Sequence, residues 1–389
     1  MNTDPYQILA PRVLTPEGWR YQHYLQIADG CIVGIQAEPR ADWPLHRLSE
    51  GSLVPGLIDV QVNGGGGVLF NQQPTPTGLR QMLSAHARFG STGILPTVIT
   101  DSVTVMQQAA DTVAAALAAK EPGVLGIHFE GPHLSLAKKG VHTPAHIRSL
   151  TDAEWNLYQR KDLGIKVVTL APERVAPELI AELVAEDVRV CLGHSNADAA
   201  TVQAALNAGA TGFTHLYNGM SPLTSREPGM VGAALTDRRS WCGIILDGHH
   251  LHPLAALLAY QAKPKGKLFL VTDAMSPVGT EQTQFDFFDG QVVRQGSRLT
   301  DPSGSLAGSV LDMITAVQQA SQQLGVGLAE ALEMASAFPA DFLGCADRLG
   351  RLAPGKQADM VWLDDSQQVR QSWVAGRPFY LDPQSKVAL

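Results

Sequence analysis

The chain contains few cysteines, and no spacing pattern ties them together. The four, in 389 residues, are Cys31, Cys191, Cys242 and Cys345. Because they lie far apart and form no CxxC pair, the sequence indicates neither a disulfide framework nor a cysteine zinc site. Free thiols of this kind are typical of a reducing compartment, and we predict a cytoplasmic location.

Long apolar runs and an excess of positive charge are also absent. No run of about 18 apolar residues occurs, and residues 1–14 lack a basic segment followed by an apolar core. We therefore expect neither a transmembrane helix nor a signal peptide. The formal net charge of -8 argues against nucleic acid and acidic membranes as partners. It leaves room for a small anionic substrate, since an acidic protein can hold a local basic pocket.

A dinucleotide-binding GxGxxG motif is missing too, while an alternating pattern of strands and helices is present. Eight short apolar runs alternate with Ala-rich helical segments, at 58–62, 94–99, 124–129, 165–170, 188–192, 212–215, 242–246 and 268–271. Eight such units predict an α/β fold, a (β/α)8 TIM-like barrel. A doubly wound open sheet is the alternative, but it normally carries the missing glycine motif.

The two ends of the chain have a different sequence pattern from the middle. Residues 1–54 and 351–389 hold short alternating strands, with turns at 16–18 and 28–30. Neither end has enough strands for a stable sheet alone. We therefore predict a small β-sandwich domain built from both termini, 1–54 plus 351–389, around a catalytic barrel at 55–350.

Five predicted strands end in side chains that bind metals or transfer protons. They are Asp59, Gln61 and Asn63 on the first strand, His128 and Glu130 on the third, His194 on the fifth, His215 on the sixth and Asp273 on the eighth. Chemistry in such barrels sits at the carboxyl ends of the strands. One carboxylate and two imidazoles suit Zn²⁺ or Fe²⁺, and a further carboxylate beside them can carry protons.

These residues lie in segments that resemble a known family. Residues 54–59 and 349–359 resemble the amidohydrolase superfamily, and ten segments in order are similar to its N-acetylglucosamine-6-phosphate deacetylase family. The segments are DVQVNG (59–64), HFEGP (128–132), KGVH (139–142), LAPE (170–173), GHS (193–195), HLYNGM (215–220), REPG (226–229), DGHH (247–250), VTDA (271–274) and LAGS (306–309).

The resemblance implies a reaction and a role for each matching residue. The enzyme would remove the acetyl group of N-acetyl-D-glucosamine 6-phosphate by metal-activated water, in amino-sugar catabolism. Asp273 would be general base and acid, and His142 would polarise the acetamide carbonyl. The remaining roles would be metal binding for Glu130, His194 and His215, and substrate binding for Asn218, Gly219, Arg226, His250, Leu306, Ala307 and Gly308.

The resemblance also implies a metal and a partner subunit. Many amidohydrolases hold a second metal with His-x-His on the first strand, whereas this chain has the amides Gln61 and Asn63. Amides are poor zinc ligands, so we expect one divalent metal per chain, zinc first, with Fe, Co, Mn or Ni as alternatives. Gln61 and Asn63 would instead lie around the metal site or bind water. Arg226 would reach the neighbouring active site of a homodimer.

Three other functions fit parts of the pattern. The same chemistry on N-acetylgalactosamine 6-phosphate is the nearest, because specificity for one hydroxyl depends on pocket geometry. A cyclic-amide hydrolase would normally carry the His-x-His pair and a lysine at the end of the fourth strand, and both are missing. A catalytically inactive scaffold would have lost at least one of Glu130, His194, His215 and Asp273.

Overall fold

Strands from both ends of the chain join in a single sheet. The computed structural model describes residues 4–288 and 290–383. The sheet has eight strands: β1 (Tyr6–Thr15), β2 (Gly18–Ala28), β3 (Cys31–Gln36), β4 (Leu45–Arg47), β5 (Ser52–Pro55), β19 (Met360–Leu363), β20 (Val369–Val374) and β21 (Arg377–Leu381). Strand β5 is the junction, because it pairs with β1 on one side and antiparallel with β19 on the other. The predicted domain boundaries stay a prediction.

A second sheet of eight parallel strands forms the barrel, which confirms the predicted fold class. Its strands are β6 (Leu57–Val62), β9 (Ser91–Ile99), β10 (Gly126–Glu130), β11 (Ile165–Leu170), β12 (Val188–Leu192), β13 (Gly212–Phe213), β14 (Trp241–Ile244) and β15 (Leu268–Leu270). A short pair, β7 (Gly64–Gly65) and β8 (Val68–Leu69), follows β6. Every residue of β6, β9 and β10 is buried, as expected for strands covered on both faces.

Helices cover the outside of the barrel and mostly begin at side-chain caps. They are α1 (Pro76–Ala87), α2 (Val103–Ala118), α3 (Asp152–Tyr158), α4 (Pro177–Ala185), α5 (Ala199–Asn207), α6 (Gly229–Thr236), α7 (Pro253–Ala262), α8 (Met313–Leu324), α9 (Leu328–Met334) and α10 (Ala337–Leu343). Thr75, Ser102 and Asp312 accept hydrogen bonds from the first turns of α1, α2 and α8. None of the helices within the described ranges is long and apolar enough to cross a membrane.

The barrel closes where its first and last strands meet. The backbone N–H groups of Asn63 and Gly64 both donate to the carbonyl oxygen of Ala274 at 2.9 Å, and Asp273 N donates to Gln61 O at 3.0 Å. The closure therefore brings the polar end of β6 directly beside Asp273. This contact positions four of the polar side chains that the sequence places at strand ends.

One element within the predicted barrel segment was not foreseen. Residues after β15 form a three-stranded antiparallel sheet, β16 (Gln284–Phe287), β17 (Gly290–Gln295) and β18 (Arg298–Thr300). We call it the inserted sheet. Its buried residues Phe285, Phe287 and Leu299 pack with Leu69, Ile99 and Met275 over the carboxyl end of the barrel. It thus covers the end at which polar residues gather.

The β5–β19 junction leaves no room for a side chain at Gly51. Gly51 has φ +75°, and a Cβ there would lie 1.9 Å from the carbonyl oxygen of Leu363. We expect Gly51→Ala to destabilise the protein by about 3 kcal/mol, because it adds a backbone clash to left-handed strain. Gly355→Ala is the matched control, since Gly355 has φ +86° with open space around it. It should cost only about 1 kcal/mol. Urea unfolding curves measure both, and equal losses would contradict the clash.

Candidate active site

Three ligand-type side chains converge at the carboxyl end of the barrel. Glu130 ends β10, and His194 and His215 follow β12 and β13; all three are buried. His215 Nε2 lies 3.0 Å from both Glu130 Oε1 and His194 Nε2, and His194 Nε2 lies 3.3 Å from Glu130 Oε1. The structure therefore brings together the three residues predicted to bind metal.

The spacing of these three atoms suits a divalent cation. Ligands held about 2.0–2.1 Å from a tetrahedral zinc ion lie about 3.3 Å from one another. The Nδ1 atom of His194 lies 2.9 Å from the carbonyl oxygen of Lys138, which fixes the ring with its Nε2 lone pair toward the cluster. Two imidazole lone pairs and a carboxylate oxygen repel one another unless a positive charge lies between them. The donor set thus fits one metal ion.

The backbone is held in an uncommon conformation at three of the converging residues. His194, His215 and Asp273 have φ values of +46°, +33° and +52°, although none is glycine. Left-handed non-glycine residues are rare and concentrate at functional sites. The same conformation explains why the strand predicted at 212–215 ends at Phe213, two residues early.

Two amides connect the carboxylates of Glu130 and Asp273. Gln61 Nε2 donates to Glu130 Oε1 at 3.1 Å and to Asp273 Oδ1 at 3.2 Å, and Asn63 Nδ2 donates to Asp273 Oδ1 at 2.6 Å. Asp59, on the same face of β6, accepts from the Thr272 hydroxyl instead. The predicted shared face of Asp59, Gln61 and Asn63 therefore meets the end of β15.

The two carboxylates have opposite pKa shifts. Burial alone would raise the pKa of Glu130, but the His194 and His215 imidazoles beside it outweigh burial and hold that pKa well below the usual range. Burial, together with the nearby Glu130 charge, raises the pKa of Asp273 to about 6. Glu130 is thus suited to remain a charged ligand, and Asp273 to accept and release a proton.

His142 lies beside this cluster and is held by a threonine. Its ring contacts His194 edge-on with centroids 4.4 Å apart, and its Nδ1 lies 2.8 Å from Thr100 Oγ1. Burial lowers the pKa of His142 to about 3, so the ring is neutral. The Thr100 hydroxyl also lies 3.3 Å from the carbonyl oxygen of Glu130. Its single proton decides which His142 nitrogen carries hydrogen.

A cavity of about 200 Å³ opens over the cluster and collects most of the predicted residues. Its walls include Asn63, Glu130, His142, His194, His215, Asn218, Gly219, His250, Asp273, Leu306 and Gly308. Gln61 and Ala307 are buried and do not line the cavity. Arg226 is exposed and does not line the cavity within this one chain.

Of the three histidines at 249–252, only His250 lines the cavity. Its Nδ1 lies 2.7 Å from Asp247 Oδ2, and its backbone N–H donates to Asp247 Oδ1. His249 contacts the Ser297 hydroxyl, and His252 caps α7. His128, two residues before Glu130 on the same strand, has both ring nitrogens within hydrogen-bond distance of other groups, Val60 O and Thr169 Oγ1.

Sequence reasoning missed several residues of this site. Ile99, Val141, Met275 and Phe287 line the cavity, and Thr100 holds His142. Thr100 directly follows a predicted strand, so the expectation that functional side chains lie at the carboxyl ends of strands could have identified it. Phe287 comes from the inserted sheet, whose alternating Phe285 and Phe287 gave the one available signal.

The chain is similar to known proteins along its whole length. A model of the "Amidohydrolase family" matches residues 52–388. An N-acetylgalactosamine-6-phosphate deacetylase of Shewanella sp. (strain ANA-3) is 54% identical, covering 100% of this chain and 99% of that protein. One from Escherichia coli O157:H7 is 40% identical, covering 95% and 97%. The crystal structure of an N-acetylglucosamine-6-phosphate deacetylase from Pasteurella multocida aligns with TM-score 0.93 and 32% identity, covering 96% and 99%.

The donor geometry predicts the metal content of the purified protein. We expect about one divalent ion per chain, and we expect Glu130→Gln and His194→Asn each to reduce it to less than about a tenth, because a three-residue site loses a ligand. Inductively coupled plasma mass spectrometry of folded protein measures this content. His128→Asn is the control on the same strand as Glu130, and it should keep the metal. Full metal content in both ligand variants would refute the site.

Proposed function

Since the chain belongs to the amidohydrolase family, we propose that it removes the acetyl group of an N-acetylhexosamine 6-phosphate, giving the amine and acetate. One observation carries the proposal: Glu130, His194, His215 and Asp273 meet in a single cavity that His142 and His250 also line. This hydrolysis needs metal ligands, a proton carrier and a hydrogen-bond donor to the carbonyl oxygen, and binding the substrate needs a hydrogen-bond donor to the phosphate.

Glu130, His194 and His215 would hold a divalent ion, and we propose zinc, as their carboxylate and imidazole donors suit it. Such an ion polarises the amide carbonyl and lowers the pKa of water to about 7. The amides Gln61 and Asn63 are committed to the two carboxylates, which supports a single ion rather than a pair.

Asp273 is the proposed proton carrier. Its raised pKa lets it accept the proton of the attacking water and return that proton to the departing nitrogen. The amide donors of Gln61 and Asn63 reach the same oxygen, Oδ1, and fix the carboxylate in place. The second oxygen, Oδ2, is thereby left for proton transfer.

His142 is proposed to donate a hydrogen bond to the amide oxygen from Nε2. A neutral ring donates from Nε2 only when Nδ1 carries no proton, and a Thr100 hydroxyl that donates to Nδ1 at 2.8 Å rather than to the Glu130 carbonyl oxygen at 3.3 Å would select that tautomer. A well-placed donor to a developing oxyanion contributes about 3 kcal/mol to the transition state.

The phosphate would bind at the opposite side of the cavity. His250 lines the cavity, and because its Nδ1 is engaged by the Asp247 carboxylate at 2.7 Å, Nε2 is the nitrogen that can contact a phosphate. Asn218, Gly219 and the 306–308 loop border the same space. We propose that Arg226 of the partner subunit completes the site in a homodimer. The exposure of Arg226 outside its own cavity supports this arrangement.

The sugar epimer has two candidates. The motif resemblance gives N-acetylglucosamine 6-phosphate, as in the Pasteurella multocida structure. Two relatives, 54% and 40% identical, are named for N-acetylgalactosamine 6-phosphate. Their identity to this chain is higher than the 32% of the Pasteurella multocida protein, which supports the galacto sugar as a second candidate. We also propose a cytoplasmic location, which four free cysteines support.

Acetate release from the two phosphorylated epimers and from unphosphorylated N-acetylglucosamine tests the reaction. We expect hydrolysis of at least one phosphorylated sugar, and Asp273→Asn should lower kcat by about 10²–10⁴-fold because it removes the proton carrier. The metal should remain, since Asp273 is outside the donor set. Asp152→Asn, at an exposed carboxylate on α3 that lines neither the cavity nor its neighbouring pocket, is the control. No release of acetate by metal-loaded protein would refute the deacetylase.

Mixing two defective variants tests the shared site. Arg226→Ala should raise KM for the phosphorylated sugar, and Asp273→Asn should abolish turnover. If Arg226 acts across the dimer, random re-association of the two makes hybrid dimers with one intact site, restoring about a quarter of wild-type activity. Recovery no greater than the sum of the separate variants would place Arg226 within its own subunit.

A further inference from the structure

A second pocket of about 160 Å³ adjoins the catalytic cavity, and no step proposed above uses it. We call it the side pocket. It shares Asn63, Ile99 and Phe287 with the cavity and continues between Leu69 and Phe288 beneath the inserted sheet. Asn63 marks the junction, because its Nδ2 donates to Asp273 and its buried Oδ1 has no hydrogen-bond partner among the described residues. The pocket therefore begins at the reacting centre.

The free surface of the side pocket is mostly apolar. Its polar members are already bonded to protein: Asn71 donates to Ile99 O and Asp101 Oδ2 and accepts from Ile99 N. Gln72 donates to the carbonyl oxygen of Asp286, and Asp101 accepts from Ser102 N. The side chains of Leu69, Ile99, Phe287 and Phe288 supply the rest of the wall. An apolar cavity of about 150 Å³ is large enough to bind benzene.

The strand order shows which part of a substrate would face this pocket. The phosphate-side residues Asn218, Gly219 and His250 follow the sixth and seventh barrel strands, β13 and β14, whereas the side pocket follows the first and second, β6 and β9. Around the closed eight-stranded rim, β13 lies opposite β9, whereas β14 lies a quarter turn from β6. A substrate that runs from a phosphate beside β13 to the central carbonyl would direct the group beyond that carbonyl across the rim toward β9 and the side pocket. That group is the acyl substituent.

We propose that the side pocket receives the acyl substituent, and that the enzyme hydrolyses N-acyl hexosamine 6-phosphates with apolar acyl groups longer than acetyl, such as propanoyl and butanoyl. The inference rests on the proposed deacetylase function and extends its substrate class. Each added methylene that enters an apolar pocket loses water contact, which favours binding. The unpartnered Asn63 Oδ1 can accept the amide N–H at the pocket entrance.

A series of N-acyl substrates on the preferred hexosamine 6-phosphate tests this inference through release of the free amine. The propanoyl and butanoyl substrates should react with a kcat/KM within about ten-fold of that of the acetyl substrate. A site with no space beyond the acetyl methyl group would reject them more strongly. Glycolyl, which has the size of propanoyl but ends in a hydroxyl, should fall about ten-fold or more below it because the walls beyond Asn63 are mostly apolar and their polar groups are already bonded to protein.

If the acetyl substrate is hydrolysed but kcat/KM for both longer acyl groups is more than about 100-fold lower, the inference is wrong and the deacetylase function stands. Failure of every substrate, acetyl included, would overturn both.

Substitutions at Leu69, which lines the side pocket but not the cavity, give a second test. Leu69→Phe should fill the pocket and lower butanoyl kcat/KM about ten-fold or more while acetyl changes less than about three-fold. Leu69→Ala should raise the butanoyl-to-acetyl ratio. Leu183→Ala, a buried leucine on α4 outside both pockets, controls for lost stability and should leave the ratio unchanged. An unchanged ratio in Leu69→Ala would overturn the inference, even if Leu69→Phe does not fold.

Discussion

The structure depends on the close approach of three electron-rich atoms, one from Glu130 and one each from His194 and His215. In a buried position such atoms repel one another unless a cation lies among them. Much of the surrounding architecture holds them against that repulsion. Left-handed backbone at both histidines aims the rings inward, and the Lys138 carbonyl fixes one of them. Strain that would weaken an ordinary strand end is retained here because a bound ion would offset it.

The amide side chains of Gln61 and Asn63 solve a second electrostatic problem. Glu130 and Asp273 are two buried acids close enough for the charge of one to raise the pKa of the other. Gln61 donates to both, and Asn63 donates to Asp273. Amides stabilise the two acids without adding a positive charge. A positive charge in their place would lower the pKa of Asp273 and make it a weaker base. The presence of Gln61 and Asn63 in place of His-x-His is therefore consistent with Asp273 carrying protons beside a single metal ion.

Periodicity in the sequence predicted the parts of the site that regular strands position. Asp59, Gln61 and Asn63 share a face because alternate strand residues do, and Glu130 and Asp273 fall where apolar runs stop. What remained unpredicted depends on tertiary packing. The inserted sheet has short, partly exposed strands with little hydrophobic signal, so Phe287 could not be placed over the cavity. The hydrogen bond between Thr100 and His142 joins two loops that no local pattern relates.

The joining of both chain ends in one sheet has a consequence for synthesis on the ribosome. Strand β5 leads directly into the first barrel strand, yet its antiparallel partner β19 begins at Met360. Until that segment emerges, the nascent chain carries an unpaired β5 edge beside a hydrophobic cluster that still lacks Met360 and Trp362. Unpaired edges are prone to intermolecular association. The β5 edge therefore stays open until residues Met360–Leu363 have been made, and the late strands complete a sheet that β1 begins.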